Sequence, residues 1–205
     1  MFMAMDARGA EYGEPDSITY ESAHFKCDLR FPKTGSKAAD EVIFEWASGL
    51  YNSMSGDVSE MLAEDKGATA ELTSEYSVRM VDGGYAVVEE TGMFTASSLA
   101  HPFDIVQIFN IDTKRGKVLG VWEIIDKKQA PRVLAALRGK ILKKFPEEKD
   151  SLGDWQLGWL DNDNIALDNK GIYVWFDRGR VLASVFGTQK FFLSRKELGG
   201  AFILK

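Results

Sequence analysis

Between two strand-length runs, "ATAELTSEYSVRMV" and "YAVVEETGMFT", the chain reads Asp82-Gly83-Gly84. Two successive glycines accept the positive φ of a tight turn without a Cβ clash, so this tripeptide predicts two adjacent antiparallel strands. A second hairpin follows: "FDIVQIFNID", the turn "TKRG" and "KVLGVWEII". Asp112 starts that turn and Gly116 closes it. Along its first strand Phe103, Ile105, Gln107, Phe109 and Ile111 share one face, apolar except for Gln107. Two such hairpins commit the middle of a 205-residue chain to antiparallel sheet.

The flanks supply the rest. Ile18 to Phe31 alternates as one or two strand segments, which Pro32 is expected to stop. Val42, Ile43, Trp46, Leu50 and Met54 then recur at helical spacing, with Ser36 or Asp40 as N-cap and Trp46 in the core. "GDVSEMLAEDKG" reads as a weaker acidic helix or a loop. Asp126 caps a second helix with Pro131 in its first turn, a stripe from Val133 to Phe145, and Pro146 as its end. "NIALDNKGIYVWFD", "RVLASVFG" and "KFFLSRKELGGAFIL" read as three short strands, the last closing in a helical turn at "SRKEL". Hairpins interspersed with two main amphipathic helices, without a βαβ repeat, predict an α+β fold with mainly antiparallel sheets. Residues 1–16 read as a disordered N-terminal segment, and the remainder as two linked halves, 17–98 and 99–205, packed as one unit.

Composition is that of a globular chain, 45% apolar and 27% charged. No run approaches the roughly 20 apolar residues of a membrane span, and the N-terminus lacks the apolar core of a secretory signal. Two origins fit: a cytosolic protein, or a mature domain separated from its export signal or membrane anchor. Cys27 is the single cysteine, so internal disulfides and cysteine zinc sites are excluded; it reads as a small residue in a strand. The net charge of −6 divides unevenly: −13 over residues 1–112 and +7 over 113–149. The basic segment reads as the solvated face of the second helix, and the overall negative charge argues against nucleic acid as a partner.

Catalytic signatures are sparse. There is no G-x-S-x-G elbow and no phosphate-binding glycine loop. His24 and His101 stand 77 residues apart, outside any metal-ligand spacing. "LDNDNIALDN" offers Asp161, Asp163 and Asn164 as oxygen ligands, but Ile165 and Ala166 occupy positions where a calcium loop needs an oxygen and a glycine, so turn chemistry accounts for them. Neither a metal nor another cofactor is expected. Glu89 and Glu90 are adjacent on a strand and point to opposite faces, so they cannot share a proton. Trp155, Trp159 and Trp175 form the best visible binding feature, the first two beside Gly153 and Gly158; the competing reading is aromatics that cover a loop. His101, ahead of Pro102, is either a base at the mouth of a site or the loop end of a hairpin.

The order of features also resembles a known pair of domains. "FKCDLRFPKTGSKAADEVIFEWASGL" is similar to the opening of the accessory domain found in the peptidoglycan deacetylase PdaC and the anti-sigma factor RsiV. From Ala100-His101-Pro102 the chain resembles the RsiV-type C-terminal domain of unknown function: Asp112 to Lys117, the helix Pro131–Phe145, the strands Gly171–Phe176 and Val181–Gly187, and Leu193–Leu198. The likeness covers about Ile18 to Leu204, with the accessory half at 17–98 and the C-terminal half at 99–205. It implies a non-catalytic, extracytoplasmic binding or sensing module of the bacterial envelope, whose partner is a lysozyme-like protein or a cell-wall glycan and whose membrane anchor would lie outside this chain. On that reading His101, Trp155, Trp159 and Trp175 are the ligand-binding candidates. The alternative is a hydrolase of a cell-wall or small-molecule ester with His101 as general base.

Overall fold

A computed structural model describes residues 4–5, 11–12, 14–150, 152, 159–161 and 163–204. The strands are β1 (Ala4–Met5), β2 (Glu11–Tyr12), β3 (Glu14–Glu21), β4 (Phe25–Lys33), β5 (Ala70–Val81), β6 (Tyr85–Ala96), β7 (Phe103–Asp112), β8 (Lys117–Leu119), β9 (Ile165–Asp168), β10 (Gly171–Phe176) and β11 (Gln189–Ser194). The helices are α1 (Lys37–Glu64), α2 (Val121–Ile124), α3 (Ala130–Lys144) and α4 (Arg195–Leu198). No helix among the described residues is long and apolar enough to cross a membrane.

Strands β3 to β8 lie in sequence order in one six-stranded sheet. All neighbours are antiparallel except β4 and β5, which run parallel, and α1 supplies the crossover such a pair requires. The Asp82–Gly84 turn joins β5 to β6 through a ladder from Ala70↔Ala96 to Val81↔Tyr85, with φ of 92° at Gly83 and 90° at Gly84. In the next hairpin the Asp112 carboxylate accepts the Lys114 and Arg115 N–H groups, and Gly116 takes φ 63°. The boundary between 17–98 and 99–205 falls in the β6–β7 loop, and these two strands pair from Tyr85↔Asp112 to Phe94↔Phe103. The fold is thus α+β, with a second, three-stranded antiparallel sheet in the order β11-β10-β9.

The period of two along each strand separates two cores. On one face α1 covers two apolar clusters, one around Phe31, Ile43, Val88 and Phe109, the other around Phe25, Leu29, Leu72 and Phe94. On the other face Val81, Val87, Ile108 and Leu119 meet α2, α3 and the small sheet in a larger core. The small sheet is seated by one side chain. Buried Asn110 donates from Nδ2 to the Ile165 carbonyl and accepts the Leu167 N–H on Oδ1, at 2.6 and 2.8 Å, so its amide replaces a neighbouring strand along the edge of β9.

A polar seam separates the two clusters beneath α1. Tyr76, Glu90 and Gln107 are register partners across β5, β6 and β7, and the next rung is Ser74, Gly92 and Ile105. Ser74 Oγ bonds the backbone N–H and carbonyl of Arg30, where the β4–β5 ladder ends. A Cβ on Gly92 would collide with the Thr73 carbonyl. Gly92→Ala is therefore expected to lower the unfolding free energy by about 1–3 kcal/mol, the usual cost of overpacking, read as a lower urea midpoint at constant m value.

Three local readings need correction, and one open alternative is decided. Strand β4 does not stop at Pro32 but runs through it, opposite Pro15. Because β5 pairs with β4 only from Phe25 to Leu29, proline there does not interrupt a central ladder. Helix α1 is continuous through "GDVSEMLAE": Val58 is buried and Met54, Met61 and Leu62 extend the packed stripe, while Gly56 sits on the exposed side. "RVLASVFG" is a turn and a short 3-10 helix rather than a strand; its hydrogen bonds are local and Gly179 and Gly187 both take positive φ. The three short strands are instead β9, β10 and β11, because Asp168–Lys170 turns "NIALDNKGIYVWFD" into a hairpin. "VWEI" after Gly120 is helical, with the Glu123 carboxylate accepting the Gly120 N–H.

Other expectations find their places. Ser36 is the N-cap of α1, but its hydroxyl donates to the Gly116 carbonyl, while Asp40 accepts from the N–H and hydroxyl of Thr34. Trp46 packs edge-on against Phe109. Buried Cys27 lies in β4, where desolvation raises its thiol pKa. Asp126 caps the 3-10 turn that leads into α3, which carries Pro131 in its first turn.

Candidate functional site

Helix α3 and the small sheet cover only part of the second face of the large sheet. Beyond Val81 and Val87 that face is polar, and an open cleft of about 460 Å³ lies over Asp28, Arg30, Thr73, Glu75, Thr91 and Met93. Asp28 and Arg30 stand two apart on one face of β4, and the guanidinium donates to both carboxylate oxygens at 3.2 and 2.9 Å. Met93, 42% exposed, is the register partner of Asp104.

At Asp104 a second cleft begins, of about 360 Å³, between the loop before β7 and the segment after β10. Asp104 Oδ2 accepts from Arg178 Nε at 3.0 Å and from the Thr188 hydroxyl at 3.1 Å. The Arg180 guanidinium lies 3.7 Å from carboxylate oxygens of both Asp161 and Asp163. Burial pushes the Asp177 carboxyl above its ordinary range, with Arg180 opposing and Asp163 and Asp104 adding to the shift. Asn164 closes the 159–164 turn with its own amide, accepting the Asp161 N–H and donating to the Trp159 carbonyl. The Asp and Asn of that loop thus make turn contacts and arginine pairs.

A third cluster joins the two sheets. Glu89 is paired with Arg79 at 3.0 Å and Lys190 at 3.2 Å. Arg79 also donates to the Leu167 carbonyl. The Lys190 ammonium stands 4.2 Å from the Trp175 ring centroid and 4.5 Å from that of Tyr173. Glu89 therefore has two cations on its face of β6 and Glu90 lies buried on the other, the separation that strand alternation requires.

The candidate side chains are dispersed. Trp175 belongs to this inter-sheet cluster, and its indole N–H is buried without a hydrogen-bond partner among the described residues. Trp159 is half-buried, packed against the large core with its ring at 73° to that of Phe176. Trp155 lies outside the described residues. His101 is exposed in the β6–β7 loop, directly before Pro102 at the rim of the Asp104 cleft. Among the described residues no Ser, Thr, Asp or Glu side chain hydrogen-bonds to it, so none of them forms a nucleophile–base pair with His101. The residues that line the clefts, Asp28, Arg30, Asp104, Arg178 and Arg180, escaped the sequence reading. A carboxylate and a guanidinium two apart on a strand was the one local signal available for them.

The chain matches no protein-family model and no curated protein. Solved structures do resemble it. A DUF3298 family protein from Pseudomonas aeruginosa has 11% sequence identity and a TM-score of 0.67, with 94% of this chain and 95% of that one covered. A DUF3298 family member from Bacteroides fragilis has 15% identity and a TM-score of 0.62, with 93% of each chain covered. Over nearly its whole described length, this chain has the fold of the DUF3298 family proteins.

Proposed function

We propose that this chain is a non-catalytic binding or sensing module of the bacterial envelope. Its ligand is a lysozyme-like protein or a cell-wall glycan, received on the surface that runs from Asp28 and Arg30 across Met93 to Asp104 and Arg178. The observation that carries this reading is the continuity of the two clefts through the Met93–Asp104 pair. The exposed apolar side chain at their junction is Met93 itself, on the cleft face of the sheet. Apolar groups set among fixed Asp–Arg pairs are the composition of a recognition surface rather than of a reaction centre. The likeness to RsiV and PdaC domains supports placing the chain outside the cytoplasm.

Titration with lysozyme, and separately with peptidoglycan fragments, followed by tryptophan fluorescence, tests the reading. One of the two is expected to give a saturable change. Met93→Ala should weaken that binding about tenfold or more, as loss of an interface anchor does, with thermal stability nearly unchanged. Silence with both ligands would remove the proposal.

A further inference from the structure

We propose that α1 is a proton-latched cover: it stays docked on the sheet while the Glu90 carboxyl is protonated, and opens locally as that carboxyl ionises. Glu90 has no exposed surface, and neither of its oxygens has a hydrogen-bond partner among the described residues. It stands in the seam where the apolar packing beneath α1 is interrupted, between Tyr76 of β5 and Gln107 of β7. Burial raises the Glu90 carboxyl, and no cation among the described residues offsets that shift. The titratable groups on that side are Tyr76, Cys27 of β4, Tyr51 of α1 and Tyr20 of β3, none of which carries a cation. The carboxylates of α1 do not reach the seam: Asp40 is held by Thr34, and Glu41, Glu45, Asp57, Glu60 and Glu64 are exposed. An ionised Glu90 would thus be a buried charge without a counter-charge, and lifting α1 is the nearest route to water.

The opening is local because the larger core, with α3 and the small sheet, lies on the other face and shares none of these residues. In the docked state burial pushes the carboxyl up to about 9, against 4.5 when free. Between those values the open form gains about tenfold in population per pH unit, and at pH 7 it is favoured about 300-fold over a chain with an amide at this position.

Amide hydrogen exchange at pH 5, 6, 7 and 8, corrected for the intrinsic pH dependence of exchange, tests this in wild type and Glu90→Gln. The expected result is an opening constant for residues 43–58 that rises about tenfold per pH unit in wild type and stays flat in Glu90→Gln, with residues 133–141 more strongly protected throughout. Equal slopes in the two proteins, or one common opening constant for both helices, would overturn the proposal.

Discussion

Glu90→Gln is expected to raise the unfolding free energy by about 3 kcal/mol at pH 7 and to leave it unchanged at pH 4. The sign follows from where the proton resides. Burial holds the folded carboxyl at about 9, against 4.5 for the free group. Below pH 4.5 both folded and unfolded chains keep the proton, so the carboxyl behaves as the amide does. Between 4.5 and 9 the unfolded chain has released the proton and the folded chain has not, so each unit of rising pH lowers stability by about 1.4 kcal/mol. Above about 9 the folded form also ionises and the loss stops growing. Gln has the same shape and no proton to release, so its stability curve lacks this slope. At pH 7 the difference corresponds to a rise of roughly 6–12 °C in melting temperature for a domain of this size. Urea unfolding of both proteins at pH 4, 5.5, 7 and 8.5 measures it. Parallel curves would show that Glu90 is charged or paired in the folded state.

The second large effect is expected at Asn110. Its amide satisfies the Ile165 carbonyl and the Leu167 N–H, both in buried positions of β9. Asn110→Ala leaves a donor and an acceptor unpaired in the core, at about 1–3 kcal/mol each, so a loss of roughly 2–6 kcal/mol follows. Asn110→Asp separates hydrogen bonding from volume. It still accepts the Leu167 N–H but turns a lone pair toward the Ile165 carbonyl, so it is also expected to destabilise despite its unchanged size. Urea midpoints for the three proteins decide the matter: a loss below about 1 kcal/mol in both variants would mean that β9 is held by its apolar contacts alone.

How much of this was legible in advance depends on the range of the interaction. The Asp82–Gly84 and Asp112–Gly116 turns, the Asp126 cap and Pro131 are local features, set by backbone dihedrals and hydrogen bonds a few residues apart, and they fold as read. Errors arose where propensity met context. Gly56 and a run of acids weakened the expectation for the second half of α1, but Val58 and Met61 had a core to bury. "RVLASVFG" has strand composition, yet among the described residues no neighbouring strand pairs with it. The cleft residues were hidden because Asp104 and Arg178 meet across 74 positions of sequence. Such pairs leave no spacing signature.

From its sequence alone the chain determined its class: two glycine-turned hairpins and two amphipathic helices exclude every architecture that lacks antiparallel sheet. Strand alternation also determined that Glu89 and Glu90 face opposite ways, because that follows from the pleat of one strand. Tertiary structure alone decided which face is buried and what stands opposite. Gln107 was visible as the single polar break in an apolar stripe, and Glu90 as half of an acidic pair. Only the pairing of β6 with β7 places those two polar residues on one rung, under a helix and without a counter-charge. Register is a property of two strands together, and the cost of a buried charge is a property of everything packed around it.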